Sequence, residues 1–332
     1  MDIDPTPNTA TRVSQDKRLN LTRSQGLWFE DCGLIIQAEK TIFRVSRDML
    51  AIQSPVFRDM LSLPAPKDID TVDDCPFVLL PDPAKDVASF LRALFYYDFF
   101  EPSPAPTTFE ILAGVLRMSH KYEVDGLRKR ALTHLSSAHS TEFGDDGSTL
   151  HHDLPSWRTA LADGTNDENM LIVELARQVG ADWILPTAFY RMCEHSYEET
   201  IITRTALSTG DKVRCFQGLR FLETTGAASV LQFLCNHEVA MCPQPYECLV
   251  ARTIKHQSVS ERRDYSRETE TTMPFGLWGE GDWDDLEVCD PCLSQMQKVH
   301  REARKRLWDQ LPGIFGLPDW SELEKIKAEV LK

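Results

Sequence analysis

No run of about 18 apolar residues occurs in the chain, so a membrane-spanning helix is not expected. The catalytic signatures are missing as well: no G-x-S-x-G, no G-x-x-x-x-G-K-[ST], no H-E-x-x-H, and no G-x-G-x-x-G following a strand. The Gly279-Glu280-Gly281 triplet has neither a third glycine nor a strand before it. Nothing therefore recommends an enzyme. Positive charge is scarce: 36 Lys and Arg stand against 51 Asp and Glu, a formal net charge of −15. Nonspecific nucleic-acid affinity comes from basic residues neutralising phosphates, so nucleic acid is not an expected partner. No C-x2–4-C pair is followed by H-x3–5-H, which excludes a C2H2 finger, and neither an internal repeat nor a long heptad run is visible.

What is present describes a soluble globular protein. The 332 residues are 42% hydrophobic and 26% charged, enough for two domains of ordinary size. The N-terminus, MDIDPTPNTATRVSQDKRLN, is polar and opens on acids, unlike a signal peptide. A cytoplasmic or nuclear chain is the reading, with its nine cysteines as reduced thiols or metal ligands and the Asn20-Leu21-Thr22 sequon incidental. Residues 1–25 lack periodicity and read as a disordered tail.

From Leu27 to Leu61 the pattern is a strand hairpin followed by two helices. Leu34 and Ile36 alternate with Gly33, Ile35 and Gln37; Ala38-Glu39-Lys40 makes the turn, and Thr41–Val45 returns as the partner strand. Ser54-Pro55 is a helix start, because the hydroxyl can accept from an orphan N–H and proline at the first position loses no bond. Phe57, Met60 and Leu61 form that helix's expected buried face.

This arrangement resembles the BTB/POZ domain. The family's opening Asp and its "L-x-x-x-S-x-x-F-x-x-M" helix appear as Asp31, Leu50, Ser54, Phe57 and Met60. The likeness continues in PFVLLPDPAKDVASFLRALFYYDFF from Pro76 to Phe100, similar to the later strand, helix and aromatic end. It closes in TFEILAGVLRMSHKYEVDGLRKRALTHL from Thr108 to Leu135, similar to the closing helix pair. It covers residues 26–136, about a third of the chain. One departure is Ser46, where the family usually carries a His after the hairpin.

The resemblance implies an α+β fold, a small sheet flanked by helices, and a protein-binding function with homodimers or heteromeric contacts through the hairpin, first helix and neighbouring strand edges. The partner-facing set implied here is Trp28, Phe29, Asp31, Phe43 and Arg47. Some relatives of this family serve as cullin ubiquitin-ligase adaptors and others recruit corepressors. The cullin contact is helped by a hydrophobic-x-Glu motif, yet Ser62-Leu63-Pro64-Ala65-Pro66 holds no Glu. A self-associating scaffold is the primary expectation; the adaptor and corepressor-recruiting roles are the alternatives.

Residues 137–169 are rich in Ser, Gly, Asp and Asn and read as a linker, with Leu154, Trp157 and Leu161 as anchors and His151-His152 as exposed polar residues. Residues 170–332 read as mostly helical: Leu171, Leu175 and Val179, then Ile184 and Phe189, stand at helical spacings around Gly180 and Pro186. Asp211–Asn236 reads as one or two further helices. A long loop with Met273-Pro274-Phe275-Gly276 and an acidic run comes next, then a helix from Cys292 to Leu311 and a short last one. The layout also resembles fungal BTB-domain proteins, whose helix pair and tail appear here as Leu175-Ala176, Ala181, Trp183–Pro186, Ala188–Tyr190, Cys289-Cys292 and Trp308–Trp320.

Cys235, His237, Cys242, Cys248, Cys289 and Cys292 lie close in sequence. Cys289-Asp290-Pro291-Cys292 has the C-x-x-C spacing that offers two tetrahedral zinc ligands from one tight turn. The second pair is Cys242 with Cys248, or Cys235 with His237. The opposing reading is buried, reduced cysteines acting as small hydrophobes. A redox role suits the motif poorly, since the acidic, loop-like flank disfavours a thiolate. The run Glu280, Asp282, Asp284, Asp285, Glu287, Asp290 lacks the EF-hand glycine and terminal Glu and reads as a solvated loop pinned by Trp278 and Trp283. In HREARKRLW, Arg301, Lys305 and Trp308 share a helix side with Arg304 close by, and a solvated face is favoured over a nucleic-acid contact.

Overall fold

The computed structural model describes residues 21–63, 71–72, 75–144, 155, 157, 167–195, 198–235, 241–265 and 273–332. The chain divides into two compact units, Met1–His134 and Leu135–Lys332. The first is α+β and the second helical, as the resemblance implies. Among the described residues no helix is long and apolar enough to cross a membrane.

The first unit is built on β1 (Thr22–Trp28), β2 (Leu34–Ala38), β3 (Thr41–Val45), α1 (Arg47–Gln53), α2 (Pro55–Ser62), β4 (Thr71–Val72), β5 (Cys75–Leu80), α3 (Ala84–Phe95), α4 (Phe109–Lys121) and α5 (Asp125–Ser137). The five strands form one sheet in the order β1-β3-β2-β5-β4. The hairpin is antiparallel, with Ile36 opposite Phe43, while β1 runs parallel to β3 and β5 parallel to β2. β1 takes in residues 22–25, which their polarity assigns to the tail. Its first five side chains are mostly exposed, so the alternation of a buried strand is absent there; the backbone ladder recruits this part, while Leu27 and Trp28 at its end pack inward.

The hairpin turn does a second task. Glu39 sits at φ +52°, a conformation few non-glycine residues adopt. From there its carboxylate accepts the backbone N–H of Ala84 at 3.1 Å. α3 begins after Pro83, whose side chain cannot cap, so the hairpin supplies the acceptor this helix start lacks. Ser46 likewise caps α1 by accepting from Met49 N at 3.3 Å. Ser54 caps α2 by accepting from Phe57 N at 3.0 Å and donates to the carbonyl of Tyr122 at 2.5 Å. Phe57 is fully buried and stacks on Tyr122 at 4.5 Å, with Phe90 of α3 completing the group, while Met60 and Leu61 are half-buried.

The second unit contains α6 (Asp167–Val179), a 3-10 turn (Asp182–Ile184), α7 (Leu185–His195), α8 (Glu198–Thr203), α9 (Thr209–Phe221), a π turn (Leu222–Gly226), α10 (Ala227–Leu231), α11 (Pro245–Tyr265), α12 (Glu280–Asp284), α13 (Asp290–Ile314) and α14 (Trp320–Val330). Its core joins the two motifs of the fungal resemblance. Phe189 stacks on Phe315 at 5.3 Å, and Tyr190 packs on Phe275 at 5.1 Å while its hydroxyl accepts from Phe275 N. Trp308 stacks on Trp320 at 5.1 Å and receives its indole N–H on the backbone carbonyl. Those motif residues are therefore packing residues.

Two expectations change here. The stretch 137–169 is packed at its start: Ala138, His139 and Thr141 are buried, His139 bonds Thr187 at 2.9 Å, and Thr141 accepts from Lys327 at 2.9 Å. His151, His152, Leu154 and Leu161 lie outside the described residues. The region read as a long loop contains α11, 21 residues long. It buries little beyond Cys248, Arg252 and Val259, too thin an apolar stripe to show as helical periodicity.

Ser54→Ala removes a cap and leaves the Tyr122 carbonyl buried without its donor. The first unit should lose about 2–4 kcal/mol in chemical denaturation. In the second unit, a Cβ on Gly218 would lie 2.1 Å from Phe315 Cε1. The helix-propensity gain of Gly218→Ala, about 1 kcal/mol, is outweighed by an overpacking cost of about 1–3 kcal/mol or more. A lowered denaturation midpoint is the expected result.

Candidate functional site

In the first unit the partner-facing set divides. Asp31 and Arg47 are exposed, and Arg47 donates to the Leu61 carbonyl, tying the start of α1 to the end of α2. Trp28 and Phe29 are half-buried. Trp28 covers Ile35, Ile42 and Cys75 with the Arg23 guanidinium 4.3 Å above its ring, and Phe29 packs on Phe95 and Tyr96. Phe43 does not belong to the set: it is fully buried. It faces the same side of the sheet as its cross-strand partner Ile36, and that side is the core. The residues missed are Met49 and Ile52 of α1, 42% and 74% exposed. Three residues apart and off the phase of buried Leu50, they form an apolar ridge visible in the sequence once Leu50 is taken as the helix's inward position.

In the second unit the structure brings Cys242, Cys248, Cys289 and Cys292 together, every Sγ within 4.8 Å of the others. Of the two alternatives for the second pair, it is Cys242 with Cys248 that meets Cys289 and Cys292. Cys235 is exposed and outside the group, and His237 lies outside the described residues. Cys242 precedes α11 and Cys248 stands in its first turn; Cys289 is the N-cap of α13 and Cys292 stands in its first turn. Both pairs thus straddle a helix N-terminus. Cys242 Sγ and Cys289 Sγ are 3.6 Å apart, and the Cys289 N–H donates to Cys248 Sγ at 3.4 Å. The backbone N–H of Cys292 pulls the Cys289 thiol below its ordinary pKa, whereas burial pushes Cys248 and Cys292 up.

The four cysteines pack with the apolar cluster that includes Leu231, Phe233, Trp278 and Met296, so Trp278 does pin the acidic loop. Asp282 and Asp285 both bind Lys255, and Asp282 also caps Gly279 N, which employs these carboxylates in ion pairing and capping. The basic stretch is absorbed in part: Trp308 is buried, Arg304 donates to the Phe275 carbonyl and Lys305 pairs with Asp309, while Arg301 and Arg306 are exposed.

His300 is buried against Phe233, Trp283 and Trp278, and its Nε2 has no hydrogen-bond partner among the described residues. Burial, with Arg304 adding, pushes its pKa down to about 3. The unfolded chain therefore takes up a proton that the folded one refuses as pH falls from about 6.5 to about 3. Stability should fall across that window by up to about 1.4 kcal/mol per pH unit from this group. Against the wild type, His300→Gln should flatten the acid limb of a denaturation midpoint measured across this range.

Residues 19–139 match the family model of the BTB/POZ domain. No curated protein and no solved structure matches the chain. The match encloses the hairpin, the Ser54 cap and the closing helix pair. This is a BTB/POZ domain-containing protein, its domain lying in the N-terminal part of the chain.

Proposed function

We propose that the chain is a non-enzymatic scaffold that self-associates through α1 of its BTB/POZ domain. The BTB/POZ domain is a protein–protein interaction module. The observation that carries the finer reading is the exposed apolar ridge of Met49 and Ile52 on the first helix after the hairpin, where the family resemblance puts the homodimer contact. A two-fold contact uses one patch twice, so a short ridge counts double. Arg47 and Asp48 beside it supply a polar rim. Self-association is favoured over a cullin-adaptor role because Ser62–Pro66 carries no acidic residue.

The full chain should run as a dimer in light scattering. With Met49→Arg and Ile52→Arg together it should become monomeric with unchanged circular dichroism. Burying each of these side chains is worth about 1.5 kcal/mol and each occurs twice, about 6 kcal/mol in all, so the dimer Kd should rise about 10,000-fold. A wild-type chain monomeric at every concentration would end the self-association reading.

A further inference from the structure

We propose that the second unit holds a single structural zinc ion on Cys242, Cys248, Cys289 and Cys292. This goes beyond the interaction reading and is independent of it.

The argument begins with distance. Zinc–sulfur bonds of about 2.3 Å set tetrahedrally place sulfurs about 3.8 Å apart. Here all four Sγ atoms lie within 4.8 Å of one another, and the Cys242–Cys289 pair is 3.6 Å apart. That pair is far too long for a disulfide of about 2.05 Å. The same chain provides an internal contrast. Cys193 and Cys215 are buried with sulfurs 3.6 Å apart, yet they join no larger group among the described residues. Two touching thiols are what apolar packing produces; four from separate chain positions meeting at one point are what a tetrahedral ion requires.

The chemistry of the donor set narrows the occupant. Thiolates suit a soft or borderline cation and exclude calcium and magnesium, which take oxygen. A polynuclear iron–sulfur cluster would hold its thiolates farther apart than one ion does. Four protein ligands also close the shell, leaving no position for water or substrate, so the role is structural. Both pairs sit where helix N-termini present unused N–H groups and positive partial charge, which favours anionic sulfur, and the Cys289 N–H already reaches Cys248 Sγ.

The fold also has a use for the ion. α11 has a thin buried stripe and needs another anchor. Cys242 and Cys289 are 47 residues apart, and a clip closing so long a loop removes much freedom from the unfolded chain.

Native mass spectrometry with elemental analysis of the purified full chain, re-supplied with zinc, should show about one zinc per chain, removed by a strong chelator. Cobalt(II) added to the chelated chain should give thiolate charge-transfer absorption and the d–d bands of tetrahedral cobalt. Cys289→Ser with Cys292→Ser should abolish both signals, while Cys235→Ser, outside the group, should keep them. The wild-type metal count and cobalt spectrum decide the matter even if the double variant fails to fold. A bare polypeptide mass after zinc addition, together with no charge-transfer band, would overturn the site; iron in place of zinc would overturn the assignment.

Discussion

The first unit depends on one hydroxyl. Ser54 closes the N-terminus of α2 by accepting from Phe57, and the same oxygen donates to the Tyr122 carbonyl 68 residues later. The helix start is thereby joined to the C-terminal end of α4. The side chains of the two residues that this hydroxyl bonds through their backbones, Phe57 and Tyr122, stack on each other. A buried hydroxyl with both donor and acceptor satisfied costs little, whereas the same group half-used would cost about 1–3 kcal/mol. A second device of this kind is Glu39, whose turn conformation is offset by the capping of α3. Strand, hairpin and helices are thus assembled by polar contacts of long sequence separation, and the apolar surfaces close over them.

That organisation bears on function. The inward positions of α1 and α2, Leu50 and Phe57, are consumed by the core, which leaves the rest of α1 free to present Met49 and Ile52. An interaction module is a rigid support with an apolar patch it does not need for itself. Phe43 makes the converse point: a large aromatic in the hairpin is committed to the sheet's inner face and is unavailable to a partner.

The second unit uses a different economy. Its aromatic motifs pair with one another, Phe189 with Phe315 and Trp308 with Trp320, so the residues by which the chain resembles a known layout account for its architecture and assign no task. α11 stands outside that scheme: it leaves Tyr246, Leu249 and Ile254 exposed and meets α13 where the four cysteines come together.

Sequence alone determined what depends on local chemistry and period. The hairpin follows from alternation, the Ser54-Pro55 helix start from capping, and the Cys289-Cys292 turn from ligand spacing, because each signal is confined to a few adjacent residues. Tertiary structure decided the rest. The start of β1 is enlisted by a neighbouring strand's backbone, to which side-chain pattern is blind. α11 is a helix whose thin buried stripe left no periodic mark. The burial of Phe43 and the exposure of Ile52 depend on which face the core occupies. The choice of Cys242 and Cys248 over Cys235 was open in sequence because all three lie upstream of the C-x-x-C pair and none stands at a tight ligand spacing from another. Only the approach of α11 to α13 brings two of those sulfurs within reach of the C-x-x-C pair and leaves the third in solvent.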